Sequence, residues 1–204
     1  LRLPGCTAAF VSEDGLVMTN HHCARGSLQR VQRPGENLVE IGFYAAVIDS
    51  ERKAPVYVDQ LVVIDDVTKE VQGAFDSGTT DSARSAIRTA KITEIQKRYA
   101  EKFRASTKDS MIFSVLPFYN GGRYSLYGYK RYIDVRLVFA PEERAAFFGG
   151  DPDNFTYPRH DIDFSIFRVY EKGKPYTPPA HLNWTNGGLK AGDLTFVAGH
   201  PGST

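Results

Sequence analysis

Two short segments carry the side chains best suited to chemistry. The first is Thr19-Asn20-His21-His22-Cys23, which closes the apolar run Leu16-Val17-Met18, with Cys6 upstream. An imidazole takes up and returns a proton near neutral pH. A cysteine directly after it, one hairpin away from a second cysteine, would let a disulfide pin the backbone beside the ring. The competing reading is two buried thiols and a surface histidine pair with no chemistry. A metal site from His21, His22 and Cys23 is weaker, because adjacent ligands do not converge easily on one ion and no CxxC or HxxxH completes a tetrahedral shell. The second segment runs from Gly149 to Arg168 and sets Asp163 at the head of the apolar stretch Phe164-Ser165-Ile166-Phe167. A carboxylate so placed can be desolvated and aimed at an imidazole N–H, the orienting part in a Ser-His-Asp arrangement. Asp161, two residues earlier, competes for that part, and a simple loop cap is the alternative for both.

These side chains need rigid elements to hold them. Residues 7–19 read as a hairpin turning at Ser12-Glu13-Asp14-Gly15, since Asp-Gly supplies turn chemistry between apolar runs. Runs rich in Val, Ile, Phe and Tyr predict strands over 39–44, 56–64, 111–116, 124–139, 163–170 and 193–198. Helical spacing of Ala83, Ala86, Ile87, Ala90, Ile95, Tyr99 and Phe103 predicts a helix over 81–104, with weaker helical character at 66–75. Arg84, Arg88, Lys91, Lys97, Arg98 and Lys102 lie mostly on its other face, which reads as a solvated surface rather than a dock for acidic partners. The expected architecture is a mainly β barrel or sandwich carrying a helical insertion at about 66–104, with loops near 149–158 and 172–179 on which a site can sit.

Composition narrows the class. The chain has 204 residues, 42% hydrophobic and 24% charged, with 25 Lys+Arg against 24 Asp+Glu for a net charge of +1. That balance lacks the basic field of a nucleic-acid or anionic-membrane binder. No apolar stretch is long enough to span a membrane, and the opening residues lack the basic and apolar regions of an export signal. The first residues run straight into a strand, and residues 199–204 form a turn after the apolar run Leu194-Thr195-Phe196-Val197-Ala198. An excerpt of a longer protein is expected, with part of any site missing.

A strand ending in His-Cys with a partner cysteine upstream is the setting of the general base in trypsin-like serine peptidases. The resemblance is closer than that. Gly5-Cys6-Thr7-Ala8-Ala9-Phe10-Val11-Ser12 with Gly15-Leu16-Val17-Met18-Thr19-Asn20-His21-His22-Cys23, and Asp153-Asn154-Phe155-Thr156-Tyr157-Pro158-Arg159-His160 running into Asp163-Phe164-Ser165, resemble the S46 family of bacterial dipeptidyl peptidases. The likeness continues through Pro117-Phe118-Tyr119 and Tyr132-Ile133-Asp134-Val135-Arg136-Leu137-Val138 and covers nearly the whole chain.

The resemblance implies a chymotrypsin-like double β-barrel serine peptidase. Residues 1–204 would be its N-terminal barrel half, truncated before the family's helical domain and second barrel. It implies release of dipeptides from peptides with free N-termini, no cofactor and no metal. By position it assigns the general base to His22 rather than His21, the triad acid to Asp163, a disulfide to Cys6 and Cys23, and the clamp for the substrate's amino group to Asn154 and Phe155. Many members carry Trp where Phe155 stands. The family's Gly-Asn-Ser-Gly-Ser-Pro-like nucleophile segment is not in this sequence, and Ser203 lacks the following glycine that would help form an oxyanion hole, so the excerpt alone is expected to be inactive. A periplasmic or secreted protein, often a homodimer, is implied; a disulfide suits that compartment. The competing functions are a trypsin-like endopeptidase and a non-catalytic peptide-binding barrel module.

Overall fold

The computed structural model describes residues 1–75, 78–106, 109, 111–147, 149, 160–196 and 199. The order of elements is β1 (Arg2–Leu3), β2 (Cys6–Thr7), β3 (Ala9–Phe10), β4 (Leu16–Thr19), α1 (His21–Val31), α2 (Leu38–Ile41), β5 (Phe43–Tyr44), β6 (Arg52–Ala54), β7 (Val58–Asp66), α3 (Thr68–Phe75), α4 (Asp81–Ser106), β8 (Met111–Phe118), β9 (Arg123–Tyr132), β10 (Asp134–Ala140), α5 (Glu143–Ala146), β11 (Ser165–Glu171) and β12 (Lys174–Pro175). Contacts divide the chain into two units, Leu1–Val58 with Tyr132–Thr204, and Asp59–Arg131.

The first unit is built on an antiparallel sheet in the order β3-β4-β11-β10-β5, with β6 also paired to β10 and β12 to β11. Its core joins Phe10 and Val17 from the hairpin, Val135 and Leu137 from β10, Phe167 and Val169 from β11, and Ala24 and Leu28 from α1. Alternation of these apolar positions sets which strand face turns inward. Helix α1 buries His21, Ala24, Ser27 and Leu28, which fall on one face, so one stripe of it closes the core. At the other end of β11, Arg168 donates from Nε to Glu51 Oε1 at 2.8 Å, and the Tyr170 hydroxyl donates to Glu51 Oε2 at 2.7 Å. Burial, together with the Glu51 carboxylate, pushes the Tyr170 hydroxyl up to about 12.

In the second unit β7, β9 and β8 are neighbours in that order, and α3 and α4 supply Val71 and Ile95 to a core with Phe113, Val115, Tyr124 and Leu126. Gly128 on β9 pairs with Phe113 on β8, and the Phe113 ring lies over it; a Cβ there would stand 2.6 Å from Phe113 Cε1 and 2.8 Å from Val63 Cβ. The charged face of α4 is partly neutralised within its own unit: Arg98 forms a two-pronged pair with Glu70 at 2.7 and 2.8 Å, and Lys91 meets Glu94 at 3.0 Å and Glu70 at 3.4 Å.

The expected hairpin, the helix over 81–104 and most strands are present within a few residues. The run 39–44 departs from expectation: Leu38–Ile41 is a helical turn and only Phe43–Tyr44 is strand. Gly42, at φ +73°, ends that turn and returns its N–H to Leu38 O, and Leu38 rather than the alternating Val39 and Ile41 is buried. The run 124–139 breaks at exposed Ile133 into β9 and β10. Residues 193–196 form no strand, and 197–198 lie outside the described residues.

Candidate active site

Strand register brings the two chemical segments together. In the β4–β11 pair Thr19 stands opposite Ser165 and Met18 opposite Ile166. Continued by two residues, this antiparallel pairing sets position 21 beside position 163. At Asn20 the backbone is still extended (φ −71°, ψ 151°), and α1 begins at His21. The chain turns from strand to helix where the next side chains can reach Asp163.

His22 and Asp163 form a close pair. His22 Nδ1 lies 2.9 Å from Asp163 Oδ2 and 3.2 Å from Oδ1, and the His22 backbone N–H donates to Oδ1 at 3.1 Å. Asn20 Nδ2 donates to Oδ2 at 3.0 Å and to the Asp163 carbonyl at 3.2 Å. An ionised Asp163 selects the tautomer with its proton on Nδ1, so the lone pair resides on Nε2. The imidazole is 52% exposed and the carboxylate 16%. A covered acid behind an accessible ring is the geometry needed to take a proton from an incoming hydroxyl. Of the two rival acids, Asp163 makes this ring contact.

His21 occupies the opposite environment. It is 3% exposed, on the core side of α1, and its Nε2 has no hydrogen-bond partner among the described residues. Burial lowers its proton affinity, against the opposing pull of Asp163, the Pro141 carbonyl and Glu143. One residue along a helix is a turn of about 100°, and here that separates a solvent-facing ring from a buried one.

Cys6 and Cys23 form a disulfide with a Cα–Cα distance of 6.3 Å, tying β2 to the first turn of α1 beside His22. Donor atoms of a different set, Cys6, His22 and Cys23, lie within 4.8 Å of one another, because the hairpin returns Cys6 to the helix start. Both sulfurs are bonded to each other, so the set offers no thiolates to an ion. Asn154, Phe155 and Ser203 lie outside the described residues. Asn20 is the site residue that sequence reasoning passed over: it stood at the end of a strand, with nothing local to name Asp163 as its partner.

The chain matches the Peptidase S46 family over residues 1–204. It is 35% identical to dipeptidyl-peptidase 7 of Capnocytophaga gingivalis, over 98% of this chain and 29% of that protein. It is 37% identical to the Asp/Glu-specific dipeptidyl-peptidase of Shewanella putrefaciens, over 98% of this chain and 28% of that protein. Among solved structures, Porphyromonas endodontalis DPP11 in complex with the dipeptide Arg-Glu superposes with a TM-score of 0.80 at 31% identity, covering 94% of this chain and 29% of that one. The mainly β, barrel-forming fold is therefore shared with these proteins, and the chain spans under a third of their length. With the motifs around His22 and Asp163 embedded in a match of this extent, the chain belongs to peptidase family S46.

Proposed function

We propose that the protein to which this chain belongs is a serine-type dipeptidyl peptidase that releases dipeptides from peptides with free N-termini, and that residues 1–204 form its N-terminal barrel half with the helical insertion at about 66–104. The observation that supports this most directly is the His22–Asp163 pair at 2.9 Å, with the acid covered and the ring accessible, in a chain whose relatives carry dipeptidyl-peptidase names. His22 takes the proton from a serine supplied by the part of the protein beyond this chain as that serine attacks the second peptide bond, then returns it to the leaving amine. Asp163 holds the ring tautomer and stabilises the imidazolium. Asn154, with the backbone of Phe155, binds the substrate's ammonium through acceptor oxygens, which limits cleavage to dipeptide units. The Cys6–Cys23 disulfide suits a periplasmic or secreted enzyme, and a homodimer is the proposed assembly.

The test compares a free-amine dipeptidyl fluorogenic substrate with its N-acetylated form, using the full-length protein and its His22→Ala variant. Cleavage of the free-amine form alone, reduced by several orders of magnitude in His22→Ala, is expected. Cleavage of both forms would instead indicate an endopeptidase, and cleavage of neither a peptide-binding module.

A further inference from the structure

Asn20 occupies the N-cap of α1, where an asparagine side-chain oxygen ordinarily accepts from the second or third amide of its own helix. Here the side chain makes no such bond. The second amide, His22 N–H, goes instead to Asp163 Oδ1, so the helix is capped by a carboxylate 141 residues further along the chain. Asn20 has become a donor to the cap that replaced it, reaching both Asp163 Oδ2 and the Asp163 main-chain carbonyl.

The terminal torsion of an aspartate is soft, and His22 Nδ1 is nearly equidistant from its two oxygens, at 2.9 and 3.2 Å. The ring alone therefore does little to fix the carboxylate's rotation. The backbone N–H of His22 holds one oxygen and Asn20 holds the other, while the second Asn20 contact ties that grip to the main chain.

We infer that Asn20 is a positioning residue for the reaction, fixing the rotation of the Asp163 carboxylate so that it faces the Nδ1–H of His22. The inference rests on the reading of His22 and Asp163 as base and orienting acid. Loss of the Asn20 donor also leaves the carboxylate with one hydrogen bond fewer, which favours protonation of the pair. The other ionisable groups around the helix start are the buried His21, and Arg25 on α1 and Glu143 on α5, which pair with each other. The Asn20 side-chain hydrogen bonds go to Asp163.

The experiment uses the full-length protein and a free-amine dipeptidyl substrate. Asn20→Asp keeps size and capping ability but replaces the donor with a second carboxylate. Asn20→Ser keeps a good cap with a shorter side chain. In both, kcat should fall about tenfold or more with KM within about twofold, and the acid limb of the kcat/KM profile should move to higher pH, further in Asn20→Asp. Asn20→Gln, which retains the amide, should recover part of the loss. If Asn20→Asp does not fold, Asn20→Ser carries the test. A kcat within threefold of the parent with an unmoved acid limb would overturn the inference, as would a rise in KM at constant kcat. Normal Asn20 variants beside a silent His22→Ala would refute this inference alone, whereas an active His22→Ala would refute the reading beneath it.

Discussion

Asp163 accepts from three donors at once, the His22 ring, the His22 backbone and Asn20. His21, one residue before His22, is buried and shifted toward the neutral form. A histidine whose proton affinity is lowered by folding contributes stability that is present above its unfolded value near 6.5 and is lost as pH falls below it. Thermal melts of the full-length protein and of His21→Leu, at pH 7 and pH 5, should therefore show the smaller acid-induced drop in the variant. An equal drop in both would mean that His21 titrates no differently in the folded chain. Locally the sequence offered two histidines and two aspartates, His21 or His22 and Asp161 or Asp163; the family resemblance singled out His22 and Asp163, and these two are in contact. Asn20 was not legible, since its partner depends on a strand register that no local pattern reports.

Helix α1 was missed at the level of elements as well. Its buried stripe contains His21 and Ser27 beside only Ala24 and Leu28, so its apolar periodicity is weak, and its stability comes from packing and from a cap supplied by another element. The β-strands were legible where burial follows alternation, and the turn at Leu38–Ile41 was misread because alternation there is incidental to burial. A different constraint operates on β9. Phe113 covers Gly128 at the distance of a side chain that is not there, so Gly128→Ala must displace the ring or Val63. This should cost about 1–3 kcal/mol, the usual penalty for overpacking, read as a lower denaturant midpoint at unchanged m-value. A midpoint equal to the parent's would mean that the ring moves aside freely.

Over the whole molecule, two apolar clusters serve two units, one around Val17, Leu137 and Phe167 and one around Val71, Ile95 and Leu126. Cavities weaken the cooperative unit that contains them. Ile95→Ala should accelerate amide exchange across β8 and β9 while leaving β4, β10 and β11 within about twofold of the parent. Uniform acceleration would show that the units unfold as one. The division at Asp59–Arg131 also governs the order in which the site is made. His22 is synthesised 141 residues before Asp163, roughly ten seconds at about 5–20 residues per second. Within that interval the whole second unit is translated, while α1 has no cap and the imidazole lacks the Asp163 carboxylate. The contact that orients the His22 ring therefore forms only after the whole of the second unit has been made.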